Sequence, residues 1–374
     1  MRIGVPKEIK NREHRVGLSP AGAKMLVADG HEVVAQAGAG DGCGFPDRQY
    51  ERAGAHVQAS AADIWGSELV VKVKEPLEPE YRFLRPELTL FTFLHLAADP
   101  ALTDVLLARR VCAIGYETVQ LEDGSLPLLA PMSRVAGRVA VQLGAFLLQA
   151  EPGSSQKGKG LLMGGIDGAR RAQVGILGGG NVGRNAAGVA HGMGAAVTVL
   201  EADPERLRDL RSQFGGDINV LAYSEDNLQR LLPRCDLLIG AALIPGEHAP
   251  QLLSRAMLRS MQPGSVFVDV AIDQGGMSET SRVTTYDEMT YVEEGVIHCC
   301  LPNLPAAVPL TSTGALEAAT LPYVRKLAHL GVAQALRADA ALARGVNTWD
   351  GHLVHAGVGR ALGKKVASLK DFIN

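Results

Sequence analysis

The sequence predicts an α/β protein made of two doubly wound, Rossmann-like units. Three observations carry this reading. Short β-branched and aliphatic runs alternate with helix-patterned stretches, and they do so in two separate series along the chain. Glycine is abundant, 43 of 374 residues, against 5% aromatic residues, a balance suited to tight strand–helix turns. The hexapeptide Gly178-Gly179-Gly180-Asn181-Val182-Gly183 follows one apolar run and opens a helical stretch.

The first series begins at the N-terminus. Arg2–Val5 reads as a strand, Pro20–Asp29 as a helix, and His31–Gln36, Glu68–Lys74 and Leu88–His95 as further strands. A helix over Asp99–Arg110 has Asp99 as N-cap and Pro100 in its first turn, and Val111–Glu117 is the next strand. Pro131–Ala150 has helical periodicity and runs into Glu151-Pro152-Gly153-Ser154-Ser155, the most linker-like composition in the chain. A second βα series follows, with strands expected at Gln173–Leu177, Ala196–Leu200, Asp236–Gly240, Ser265–Val270 and Val296–Leu301. A proline-punctuated crossing, Pro302 to Pro309, leads into a long helical region through Ala343. This tail is short for a third domain, so it is expected to return to the first. The expected division is a discontinuous substrate domain, 1–130 with 306–374, around an inserted nucleotide domain, 131–305.

Composition excludes several function classes. Lys and Arg number 37 against 40 Asp and Glu, so no large basic field awaits a polyanion and nucleic acid is not an expected partner. The longest apolar runs, such as Leu88–Leu96, fall well short of the roughly 20 residues that span a bilayer. Lys7 and Glu8 interrupt the N-terminus before any apolar signal core, and a cytoplasmic protein is expected. Five cysteines (Cys43, Cys112, Cys235, Cys299 and Cys300) lack metal-ligand spacing and are read as buried apolar residues.

The glycine motif gains weight from its context. Gly178 would permit the tight turn, Gly180 close approach of a pyrophosphate to the backbone, and Gly183 close helix–strand contact. A dinucleotide site next needs an acid at the end of the second strand, and Glu201 stands there. Its carboxylate can accept ribose hydroxyls and would repel a 2′-phosphate, which favours NAD over NADP. Arg206 and Arg208 nearby weaken that preference slightly.

Four further segments carry chemistry at expected strand ends. They hold Arg15, Lys74, His95 and Asp273, which a cleft between domains could collect. Singly, Arg15 and Lys74 could be surface cations, His95 a strand-end histidine and Asp273 a turn cap. Together they resemble something specific. Arg-Val-Gly-Leu-Ser-Pro at 15–20, Val-Lys-Glu-Pro at 73–76, Thr-Phe-Leu-His-Leu at 92–96, Pro-Met-Ser-Arg-Val-Ala-Gly-Arg at 131–138 and Val-Asp-Val-Ala-Ile-Asp-Gln-Gly-Gly at 268–276 resemble the alanine dehydrogenase family, in order and nearly end to end.

That resemblance implies an NAD-dependent enzyme that reversibly deaminates L-alanine to pyruvate and ammonium. It assigns a substrate-carboxylate contact to Arg15, the carbonyl side of pyruvate to Lys74, proton exchange to His95, and a second catalytic group near the nicotinamide to Asp273. Bidentate guanidinium recognition suits the first role, and an imidazole titrates close enough to neutrality for the third. Implied cofactor contacts are Ser133, Gly178, Gly180, Asn181, Val182, Gly183, Glu201, Arg206, Ala242, Leu243, Val270, Ala271, Ile272, Asp273, Arg282 and the segment Leu301, Pro302, Asn303 and Leu304. Many members carry aspartate where Glu201 stands. Some bind magnesium through a glutamate matching Glu117 and a histidine where this chain has Leu330 beside His329, so no metal is expected. Members are commonly hexamers, and a homo-oligomer is expected by resemblance.

Three other readings compete. The NAD-binding subunit of a proton-pumping transhydrogenase shares the two-domain plan, but the Arg15, Lys74 and His95 set suits a small keto acid. A saccharopine dehydrogenase would need more basic residues for its larger substrate. A non-catalytic NAD sensor would have no use for His95 and Asp273.

Overall fold

The computed structural model describes residues 1–150, 158–242 and 249–373. It divides into two compact units, Met1–Met132 with Val308–Asn374, and Ser133–Ala307. The expected Glu151–Ser155 linker lies outside the described residues.

The first unit opens with β1 (Arg2–Val5), β2 (Glu32–Gln36), β3 (His56–Gln58), β4 (Leu69–Val71), β5 (Thr89–Thr92) and β6 (Cys112–Gly115). The second unit contributes β7 (Gln173–Leu177), β8 (Ala196–Glu201), β9 (Asn219–Ala222), β10 (Leu237–Gly240), β11 (Val266–Asp269), β12 (Tyr291–Glu293) and β13 (Val296–Cys299). The chain then returns to the first unit with β14 (Val346–Trp349) and β15 (His352–Leu353).

The first sheet has the order β15-β14-β6-β5-β4-β1-β2-β3, parallel from β6 to β3 and antiparallel at β14 and β15. The second has the order β12-β13-β11-β10-β7-β8-β9, parallel except for β12. In both, the parallel strands follow one plan: three strands added to one side, then three to the other. The strand order reverses between β1 and β4 in one unit and between β7 and β10 in the other, and ligands of doubly wound sheets gather at the carboxyl ends of such a pair.

Central strands are buried on both faces, which explains their unbroken apolar runs. Phe91 in β5, Ile239 in β10 and Phe267 in β11 are all fully buried. Each such side chain contributes roughly 1.5–3 kcal/mol relative to exposure. The sequence reading found these strands and missed β3, β9, β12, β14 and β15. Every missed strand is at or beside a sheet edge, short or polar, and its pairing is set by a neighbour rather than by its own pattern.

Helix starts follow local chemistry. Ser19 caps Pro20–Ala28 by accepting from the Ala21 and Gly22 amides, and Asp99 caps Pro100–Ala108 by accepting from Leu102. The expected continuous helix through Ala343 is three helices, Pro309–Leu330, Val332–Ala338 and Ala340–Arg344. It breaks at Gly331, which has φ +74°, and at Asp339, which caps the last piece. The expected strand Val111–Glu117 ends at Gly115, where Tyr116–Thr118 turns into a 3-10 helix.

Candidate active site

In the first unit, the exits of β1, β4 and β5 converge. Arg15 follows β1 and is only 2% exposed, so it is not a surface cation. Glu13 grips the guanidinium along its Nε and Nη2 edge, and Nη1 reaches Met132 Sδ at 3.1 Å. Lys74 follows β4 and is half-buried. Burial pushes its ammonium below the usual lysine value and the neighbouring Arg15 charge adds to that shift, with Glu75 opposing. Two cations thus stand close together at the β1–β4 reversal, the arrangement that attracts a small anion.

His95 follows β5, and that exit is tied to the Lys74 segment. The Thr92 hydroxyl donates to the Lys74 carbonyl at 2.9 Å and the Phe93 amide to the Val73 carbonyl at 3.2 Å. The His95 imidazole is exposed and stacks on Phe93, with ring centres 5.9 Å apart and 7° between planes. Its backbone is left-handed, φ 53° and ψ 31°, a conformation that costs a side-chain-bearing residue about 1–2 kcal/mol.

Carboxylates that the sequence reading did not assign to the site hold these backbones. Glu8, three residues beyond β1, accepts from the amides of Val73 at 2.7 Å and Lys74 at 3.3 Å. Glu117, two beyond β6, accepts from Leu94 at 3.1 Å and His95 at 2.6 Å. Glu8 is buried beside Lys72, 3.2 Å from its ammonium, and Glu80 is 2.8 Å from that same ammonium. Burial pushes the Glu8 carboxyl up against the pull of Lys72. A carboxylate just past a strand's carboxyl end can reach the N–H groups of a neighbouring strand's exit loop, and only the strand order says which loop that is.

In the second unit, each motif glycine has a distinct reason. Gly178 has φ +97°, and a Cβ there would stand 2.8 Å from Ala241 and Ala242 on the adjoining β10 exit. A Cβ on Gly183 would lie 1.8 Å from the Gly178 carbonyl oxygen. Gly180 has nothing within 4 Å of its Cβ position, which leaves the space over the turn open to a ligand. Helix Asn181–Gly192 starts at Gly180 without a side-chain cap, so its first N–H groups and positive dipole end suit a pyrophosphate.

Glu201 is 5% exposed and also holds the turn, accepting from the Gly179 amide at 2.6 Å and the Asp203 amide at 2.8 Å. Each carboxylate oxygen has a second lone pair for a ribose hydroxyl. Arg206 is exposed and 4.0 Å from Glu201. Ser133 lies one helical turn before Gly137, whose Cβ position is 2.1 Å from the Val182 carbonyl, so periodicity puts both on the face toward the motif helix. These residues fit a dinucleotide.

Val270, Ala271 and Ile272 follow β11. Asp269 anchors this loop, accepting from the amides of Ala271 at 3.0 Å and Met277 at 2.8 Å and the Ser281 hydroxyl at 2.6 Å. Asp273 is exposed and accepts weakly from the Asn303 amide at 3.4 Å, which brings the Leu301–Leu304 segment beside it. Leu301 and Leu304 are buried, and Asn303 is left-handed. The Arg282 guanidinium lies 3.9 Å from the Tyr291 ring centre and 3.7 Å from Glu293, beside β12. Leu243 lies outside the described residues.

Among the described residues, no group of three or more His, Cys, Asp or Glu side chains is placed to hold a metal ion. No helix there is long and apolar enough to cross a membrane. All five cysteines are free and buried.

The fold and these residues define a two-unit α/β protein with a glycine-turn helix of dinucleotide-binding type in one unit and a small cationic site in the other. Comparison with known proteins makes this particular. Family models described as "Alanine dehydrogenase/PNT, N-terminal domain" and "Alanine dehydrogenase/PNT, C-terminal domain" match residues 4–136 and 140–356, and the chain belongs to that family. It is 48% identical over 372 residues to alanine dehydrogenase of Staphylococcus haemolyticus (strain JCSC1435), covering 99% of each chain. A solved structure described as L-alanine dehydrogenase matches with a TM-score of 0.94 at 48% identity, over 97% of this chain and 99% of that one. A transhydrogenase structure from Sinorhizobium meliloti matches with a TM-score of 0.81 at 24% identity, over 95% and 100%, a likeness of fold.

Proposed function

We propose that the chain is an NAD-dependent alanine dehydrogenase, interconverting L-alanine with pyruvate and ammonium. The observation that carries this reading is the grouping of Arg15, Lys74 and His95 at the strand exits of the first unit, in a chain 48% identical end to end to a protein of that name.

In this mechanism the Arg15 guanidinium binds the substrate carboxylate, and Glu13 fixes its plane. Lys74 directs its ammonium at the C2 oxygen of pyruvate. The cofactor, when bound, supplies a hydride acceptor for Cα of alanine or a hydride donor in reverse. His95 takes the proton from the water that adds at C2 and passes it to the amine nitrogen, then takes the carbinolamine O–H proton as the C–N bond breaks and hands it to the departing ammonia; amination runs these transfers in reverse. Asp273 serves as the second polar group of the reaction. Overall, L-alanine, NAD⁺ and water give pyruvate, ammonium, NADH and a proton.

Gly178, Gly180, Gly183 and the N-terminus of the motif helix would hold the pyrophosphate, and Glu201 the adenosine ribose, which favours NAD. We assign the protein to the cytoplasm as a homo-oligomer, a hexamer by family resemblance; light scattering would measure its mass. The functional test uses the purified chain alone with NADH, pyruvate and ammonium. Oxidation that requires both pyruvate and ammonium is expected. NADH binding without turnover would overturn the reading in favour of a partner-dependent hydride carrier.

A further inference from the structure

We propose that Glu117 is a positioning residue for His95, fixing the left-handed turn that carries the imidazole. This rests on the reading of His95 as the proton-exchanging group.

A left-handed histidine persists only where its surroundings over-determine it. Glu117 does so from the neighbouring strand. β5 and β6 run parallel with Thr92 opposite Gly115, so both chains leave the sheet side by side, and Tyr116–Thr118 turns at once into a 3-10 helix. That turn brings the carboxylate under the next loop. Its Oε1 accepts from the Leu94 amide at 3.1 Å and the His95 amide at 2.6 Å, and its Oε2 lies 3.2 Å from the Leu94 nitrogen. Charge-assisted bonds to two successive amides fix the peptide plane between them, and with it the direction of the His95 Cα–Cβ bond.

The ring itself is set separately. Phe93 stacks on it and stands edge-on to Tyr116, with ring centres 5.1 Å apart. His355, the N-cap of helix Ala356–Leu362, accepts from Val358 at its Nδ1 at 3.2 Å and is near enough for the Glu117 charge to act on its ring. Glu117 therefore touches the backbone on which the imidazole is mounted and acts on the reaction through it.

The test is a double-mutant cycle with Glu117→Ala, Glu117→Gln, His95→Ala and the combinations. Misplacement of a reacting group by about 1 Å can cost up to about 10²-fold in rate, so Glu117→Ala is expected to lower kcat by roughly 10- to 10²-fold with KM for pyruvate within about threefold. Glu117→Gln, which keeps one acceptor for the His95 amide, should recover part of that loss. In the His95→Ala background, Glu117→Ala should cost nothing more, because no imidazole remains to be placed. Circular dichroism and NADH fluorescence monitor folding throughout. An equal loss in both backgrounds, kcat within about twofold of wild type, or failure of both Glu117 variants to fold would each overturn the proposal. If the wild type itself does not turn over, the functional reading fails instead.

Discussion

At the scale of the residue, the roles proposed for the two cations of the first unit separate on substitution. Lys74→Ala should abolish turnover of pyruvate while NADH binding stays near wild type, as the substrate role proposed for the lysine requires. Arg15→Lys should chiefly raise KM for pyruvate, since an ammonium cannot form the two parallel hydrogen bonds of a guanidinium. Glu13 would then face a mismatched partner as well. Steady-state kinetics with fluorescence titration separates the two effects, and equal collapse of NADH binding in both variants would make the residues structural. His95→Ala should lose roughly 10²-fold or more in kcat, the usual contribution of general acid–base catalysis, and still bind NADH. Asp273→Asn should keep the shape of its loop, which Asp269 anchors, and lose the charge. In the second unit, Glu201→Gln should narrow the preference for NAD over NADP, read as the ratio of kcat/KM values. Wild type with equal ratios would contradict the role given to that carboxylate.

At the scale of the element, the clearest test is Gly183→Ala. The added Cβ would lie 1.8 Å from the Gly178 carbonyl, so the turn or the helix start must move and NADH affinity should fall by about tenfold or more. Gly180→Ala meets no protein atom within 4 Å, so it should leave the melting temperature near wild type while still weakening NADH. Unchanged NADH affinity in both would remove the turn from the cofactor site. Elements also mark how far the sequence could be read. Strands such as Phe267 and Ile239 occupy announced themselves, because burial on both faces demands an apolar run. His56–Gln58 and Asn219–Ala222 did not, since edge strands take their conformation from a partner's free N–H and C=O groups. Arg15, Lys74 and His95 were legible as chemistry at strand ends. The carboxylates that aim them, Glu8 and Glu117, were not, because their partners are backbone amides brought close only by strand order.

At the scale of the whole molecule, stability should depend on pH through buried imidazoles. His298 in the second unit bonds Thr280 Oγ1 at 2.8 Å and the Val296 carbonyl at 2.9 Å, and burial holds its pKa below 6.5. Burial acts likewise on His355 in the first unit. For a group whose folded pKa is depressed, the unfolded chain takes up the proton first. Stability is then fully present above the unfolded value of 6.5 and lost as pH falls from there toward the folded value. The melting temperature should therefore drop by several degrees between about pH 7 and pH 5. His298→Gln should make that drop smaller, and an unchanged slope would exclude this histidine as a source.

The proposed reaction passes a hydride between Cα of alanine and the nicotinamide. It is tested most directly by supplying L-alanine deuterated at C2 with NAD⁺ and analysing the reduced cofactor by mass spectrometry. One deuterium in each NADH formed, with pyruvate and ammonium released in equal amounts, is the predicted result. Unlabelled NADH, or no reduction of NAD⁺ by alanine, would contradict the account.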